Sequence, residues 1–197
     1  MTGPALFVTV FTVEGWRRAG YLPLGMFVSE LSLGPAGWVQ ITSFLVTGAL
    51  VVVLGRGLGA YAGRGGTSRA GAVLLQVIGV SLMVSGPFTT DPSAAGGPVT
   101  PHGVVHGLFG AVVFTLAPVS CFVFYRRFRR DPTWRPLAAW TLAAGVVLTL
   151  GIGVLRFSQV PEAGLFGYKG LVQRVVLVTF MTWIFAVAAR LHRQAEG

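Results

Sequence analysis

Long uncharged apolar runs decide what this chain can fold into. Five of them, Trp38–Leu54, Ala70–Phe88, Gly103–Tyr125, Leu137–Leu155 and Gly170–Ala189, are almost free of charge. As helices of about 20 residues, each can cross the ~30 Å hydrocarbon core of a bilayer. A soluble fold cannot bury five such segments, so the chain is expected in a membrane. Hydrophobic residues make up 53% of its 197 residues and charged residues only 11%, with a mean hydropathy of +0.73. Little sequence is left for a soluble domain, and residues 1–197 read as one integral-membrane domain.

Arginine placement predicts the threading. With the N-terminus in the cytoplasm, Arg56, Arg64 and Arg69 follow the second span. Arg126, Arg127, Arg129, Arg130 and Arg135 then follow the fourth, and Arg190 and Arg193 the last. Only Arg17, Arg18, Arg156 and Lys169 fall on the other side, and Thr89–Pro101 carries no basic residue. The positive-inside rule therefore predicts an all-α, polytopic bundle of six transmembrane helices with both termini cytoplasmic. The spans fall near 3–16, 38–54, 70–88, 102–125, 137–156 and 169–190. The net charge of +9 is held in short loops beside apolar runs, which suits anionic lipid headgroups rather than nucleic acid. Cys121 lies inside a run and is the sole cysteine, so it reads as a small buried residue without a disulfide.

The first span is the short one. Pro4–Val13 offers ten apolar residues before Glu14. Either the helix continues to about Trp16 with the acid held inside the bundle, or the natural start lies upstream. The loop Trp16–Gly37, rich in Gly, Pro and apolar residues, is too apolar for a free linker. It is expected to fold over the bundle mouth with a short helix around Phe27–Leu33.

Candidate chemistry gathers in the non-cytoplasmic loops. Thr100 is a good N-cap and Pro101 suits the first helical position. His102 and His106 then share a face one turn apart, above a stripe of Gly103, Gly107, Gly110, Ala117, Ser120 and Cys121 that allows close helix packing. Both imidazoles are therefore expected to point into the bundle, where a neutral ring can bind metal or accept a proton. Two histidines are half a zinc site, and Asp91, Glu30 or Glu14 would have to complete it. The structural alternative is a pair hydrogen-bonded to loop carbonyls. Glu30, flanked by Ser29 and Ser32, reads as a general base, a metal ligand or a local cap; Asp91, before Pro92, as an Asx-turn residue or a ligand. Arg174, one turn into the sixth span, either snorkels or pairs with Glu14, Glu30, Asp91 or Glu162, and pairing is the expectation.

The run Gly20–Gln40 carries a resemblance. Glu14-Gly15, Arg18, Gly20-Tyr21, Ser29, Leu33-Gly34 and Gly37-Trp38-Val39-Gln40 resemble the signature of a bacterial membrane-protein family, domain of unknown function 998. Thr90-Asp91-Pro92, His102/His106 and Gly170-Leu171-Val172-Gln173-Arg174 are similar to it as well. Leu22–Phe27 departs from it, being apolar where the family has a more polar stretch. The resemblance implies six spans and a bacterial cell membrane, and brings no activity with it.

Two functional classes stay open. One is a membrane-embedded enzyme using Glu30, Asp91, His102 and His106, with zinc or another divalent metal on His102, His106 and Asp91, and Glu14, Ser29 and Arg174 in positioning roles. Its residue types are similar to those of intramembrane zinc-dependent lipid hydrolases, and a metal-free variant would protonate an isoprenoid-like substrate. The other is a scaffold, sensor or small carrier whose polar cluster is a structural lock. No nucleotide loop, CxxC or histidine pair spanning two helices points to ATP-driven, thiol-redox or haem chemistry. Membrane lipids are the expected partners, and the oligomeric state is not encoded legibly.

Overall fold

The computed structural model describes residues 2–62, 68–93, 99–162 and 164–196. Arg64 and the 94–98 part of the loop Thr89–Pro101 lie outside the described residues. Six helices follow one another: α1 (Thr2–Arg17), α2 (Gly37–Ala62), α3 (Arg69–Ser85), α4 (Pro101–Phe128), α5 (Ala138–Phe157) and α6 (Lys169–Glu196). There is no strand among the described residues. Four helical segments, Gly37–Ala62, Pro101–Phe128, Arg135–Phe157 and Phe166–Ala195, are long and apolar enough to cross a membrane. They mark the chain as a membrane protein.

The other two helices are shorter. α1 runs past Glu14 to Arg17 and has 16 residues, about 24 Å at the helical rise. Its buried positions Gly3, Phe7, Phe11 and Gly15 recur every fourth residue and form one inward face. α3 has 17 residues and stops at Ser85, three short of the expected end. Pro87 explains the stop, since it has no N–H to donate to the next carbonyl of the helical ladder. In contrast, α2 continues to Ala62, carrying Arg56 and Gly57 beyond the predicted end at residue 54.

Each helix packs on its neighbour in sequence, and α1 closes the ring against α6. Glycine sets the closest approach, between α2 and α3. A Cβ at Gly48 would lie 2.5 Å from the Gly79 carbonyl oxygen, and one at Gly79 would lie 2.6 Å from that of Gly48. Such small-residue contacts let membrane helices touch backbone to backbone, where apolar burial alone has no driving force. At the end opposite the long first loop, Trp134 is fully buried, with its ring 4.7 Å from that of Phe128. Arg190 of α6 donates to the Thr133 carbonyl and ties this end shut. Deep in the bundle, Trp183 Nε1 donates to Thr141 Oγ1 at 3.1 Å, joining α6 to α5.

Candidate functional site

The first loop is fastened to the mouth of the bundle by two arginines. It leaves α1 through Gly20 (φ 76°) and enters α2 through Gly34 (φ 73°), left-handed positions that glycine adopts without strain. Between them Val28–Ser32 forms a 3-10 turn whose five residues are all buried, close to the short helix expected at Phe27–Leu33. Arg18 donates to the carbonyls of Leu31 (2.5 Å), Leu33 (3.0 Å) and Ala36 (3.1 Å), and to Glu14 Oε2 (3.3 Å). Glu14 is thus held by Arg18 and, at 3.8 Å, by Arg17.

Arg174 is the second fastener, and here the expectation of a carboxylate partner is corrected. Its guanidinium donates to the carbonyls of Pro23 (2.5 Å), Met26 (3.0 Å) and Gly170 (3.0 Å) and to the Tyr21 hydroxyl. Among the described residues it forms no ion pair. The loop carbonyls of Pro23 and Met26 turn toward its Nη1, and the Tyr21 hydroxyl accepts from Nη2. Tyr21 donates onward to the Phe27 carbonyl at 3.0 Å. Burial pushes its phenol above the ordinary range, outweighing the neighbouring Arg174 charge. Gln173 accepts from the Val28 N–H at 2.7 Å, and Leu171 N–H donates to the Leu24 carbonyl at 3.0 Å. Gly170 lets this approach happen, because a Cβ there would run into the carbonyl oxygens of Pro23, Leu24 and Met26.

Both candidate carboxylates are occupied by backbone. Glu30 is 4% exposed; Oε1 accepts from the Phe27 N–H (2.8 Å) and Oε2 from the Ser93 N–H (3.0 Å). One oxygen is therefore the local cap, and the other ties the first loop to the second. Asp91 Oδ2 accepts from the N–H groups of Val99 (2.8 Å) and Thr100 (2.9 Å), and Oδ1 from the Thr100 hydroxyl (2.9 Å). It staples the loop across eight and nine residues instead of forming a local Asx-turn. The backbone bonds from Thr100 and Val99 hold its carboxyl below the usual carboxylate range.

α4 begins at Pro101, with the Thr100 side chain accepting from the Gly103 N–H at 3.0 Å. The two histidines then part company. His106 turns inward, its Nδ1 3.1 Å from the Ser85 carbonyl oxygen and 2.9 Å from that of Phe88. Its ring meets Phe44 at 6.1 Å. His102 is exposed, with its ring 5.3 Å from Phe88. The inward orientation expected for it is corrected: α3 ends at Ser85, so one turn higher there is no helix wall to face. Neither imidazole forms an ion pair within 4 Å among the described residues, although His102 lies near enough to Asp91 to be the least of the causes that lower its carboxyl pKa. Nor do three His, Cys, Asp or Glu side chains among them converge as a metal set. The proposed His102, His106 and Asp91 ligands therefore do not converge as a set of three: His106 uses Nδ1 on two carbonyls, and Asp91 accepts from the turn at Thr100.

Beside them lies a cavity of about 460 Å³ between the mouth ends of α4, α5 and α6. Its depth is apolar, built from Gly107, Gly110, Ala111, Phe114, Ile152 and Leu155. Its rim is polar, with Ser29, Asp91, Ser93 and His106 beside Arg156, Gln159, Lys169 and Gln173. The small-residue stripe of α4 thus divides. Ala117, Ser120 and Cys121 are buried, Cys121 near Gly145 of α5, whereas Gly107 and Gly110 leave room for the cavity. Lys169 and Arg156 were counted in the sequence only as topological charges. The usable signal was that both border the loop between α5 and α6, on the side that the arginine split predicts to be poor in basic residues.

The family model described as Protein of unknown function (DUF998) matches residues 1–190. The chain belongs to this family. No curated protein and no solved structure matches it. The residues that carry the DUF998 resemblance are largely those of the loop clamp: Glu14, Arg18, Gly20, Tyr21 and Gly34 on one side, Gly170, Gln173 and Arg174 on the other. In this DUF998 protein the signature thus falls on the fastening of the mouth, with His106 and Asp91 joining the second loop to it.

Proposed function

We propose that this protein is a six-span bacterial cell-membrane protein, one integral-membrane domain with both termini cytoplasmic, whose mouth binds a lipid or isoprenoid-like amphiphile as a carrier or sensor. The cavity carries this reading. At about 460 Å³ it falls within the range of small-molecule sites, and its apolar depth beneath a polar rim matches a molecule with a tail and a headgroup. The enzyme alternative has less support. Glu30 and Asp91 accept backbone donors that would have to be released before either acted as an acid, base or ligand. His106 bonded to two carbonyls suits the lock. The short α1 and α3 are compatible with spans because the ring of helices encloses their inner faces, and the arginine split supports the threading.

Filling the cavity tests the binding reading. A Cβ at Gly110 would meet nothing within 4 Å, so Gly110→Phe adds a ring beside the cavity without a backbone clash. Expected is a loss of bound amphiphile, about tenfold or more in affinity, in native mass spectrometry or displacement of a fluorescent acyl probe. The melting temperature should stay near that of the parent. Unchanged binding would remove the cavity from consideration.

Threading has its own test. Reporter fusions at Gly65 and Gly96, both outside the described residues, should report opposite compartments. Finding both on one side would end the six-span topology.

A further inference from the structure

The cavity rim contains a buried cation that forms no ion pair among the described residues. Lys169, the first residue of α6, is 5% exposed. Its ammonium stands over the Phe166 ring at 3.9 Å and 5.7 Å from the Phe27 ring centroid. Among the described residues neither Lys169 nor Arg156 forms an ion pair, and both line the cavity. Aromatic faces offset part of the desolvation of an ammonium, but a buried charge ordinarily requires a counter-charge. Asp91 is the acid on this rim. Its carboxylate is saturated by Val99 and Thr100, so two cations face one committed anion.

We infer that Lys169 and Arg156 receive the phosphate group of an anionic amphiphile whose apolar part lies along Gly107, Gly110 and Phe114; this assignment rests on the cavity being the ligand site. The chemistry is that of a phosphate oxyanion. Lys supplies a compact point charge, and Arg a planar fork able to bond two oxygens. The Ser29 hydroxyl, which also lines the cavity and is 8% exposed, adds a neutral donor. Two cations against the one acid, Asp91, leave this end of the cavity net positive, and with an apolar wall beside it this favours a molecule that joins both features over a free anion.

The test uses full-length protein in an uncharged maltoside detergent, titrated with fluorescent phosphatidic acid or with fluorescent diacylglycerol, which has the same tails and no phosphate. The parent should bind phosphatidic acid about tenfold tighter than diacylglycerol. Lys169→Gln with Arg156→Gln should abolish that preference while leaving diacylglycerol binding unchanged, and Lys169→Arg should retain it. Gly110→Phe should lose both lipids. Should the double variant fail to fold, Arg156→Gln alone serves, because Arg156 is exposed and its loss should halve the preference or more. Equal binding of both lipids by the parent, or a preference surviving the double substitution, overturns the phosphate assignment and leaves the cavity intact as a site. Binding of neither lipid, with Gly110→Phe inert, overturns the cavity itself. Competition by inorganic phosphate at unchanged lipid-tail binding would assign the cations to a soluble phosphate and overturn the lipid source.

Discussion

Replacing Arg174 with leucine should unfasten the first loop and destabilise the protein by about 3–5 kcal/mol. The guanidinium serves the carbonyls of Pro23, Met26 and Gly170 and the Tyr21 hydroxyl. Leucine fills part of the volume and leaves those acceptors in a half-buried pocket without donors, each at about 1–3 kcal/mol if water cannot reach it. The neighbouring rings of Phe11 and Tyr21, 6.0 and 5.5 Å from the guanidinium carbon, also lose their cation. Arg174→Lys keeps the charge but not the fork, so it should recover only part of the stability. In detergent, the leucine variant should melt on the order of 10 °C below the parent. The bond after Leu22 or Leu24 should become open to protease as the loop lifts. A leucine variant with parental melting and a protected loop would show that the carbonyls are satisfied without the arginine.

That clamp was only half visible in the sequence. Run lengths were enough to predict the helices, because a membrane demands long uncharged segments. Thr100-Pro101 was enough to place the start of α4, because capping is local chemistry. Arg174 was recognised as inward, but its partners were sought among acids, since side chains are what a sequence displays. The real acceptors are carbonyls, whose directions depend on how Leu22–Met26 turns. The histidine pair failed for a related reason. The i,i+4 spacing puts two residues on one helix face, but it does not say how far the opposing helix extends. With α3 ending at Ser85, His106 finds carbonyls, whereas His102 stays exposed beside Phe88. The cavity was hidden altogether, because it is made by three helix ends that no local pattern brings together.

The second large effect is expected at the glycine contact between α2 and α3. Gly48→Leu puts a Cβ 2.5 Å from the Gly79 carbonyl oxygen and 2.9 Å from the Met83 nitrogen. Both are backbone atoms of α3, so no rotamer change relieves the clash and the two helices must separate. Overpacking usually costs about 1–3 kcal/mol; this contact should reach or exceed the upper end, because parting the helices also loses the next one, where a Cβ at Gly55 would be 2.8 Å from the Ala72 carbonyl oxygen. Gly153→Leu is the control: a Cβ there meets nothing within 4 Å, and its stability should be close to parental. Separation would carry the end of α3 with it, drawing the Ser85 and Phe88 carbonyls away from His106 and loosening the wall of the cavity. Gly48→Leu should therefore lose stability and amphiphile binding together, whereas Gly110→Phe loses binding alone. A Gly48→Leu protein that melts and binds like the parent would mean that α2 and α3 are not in backbone contact.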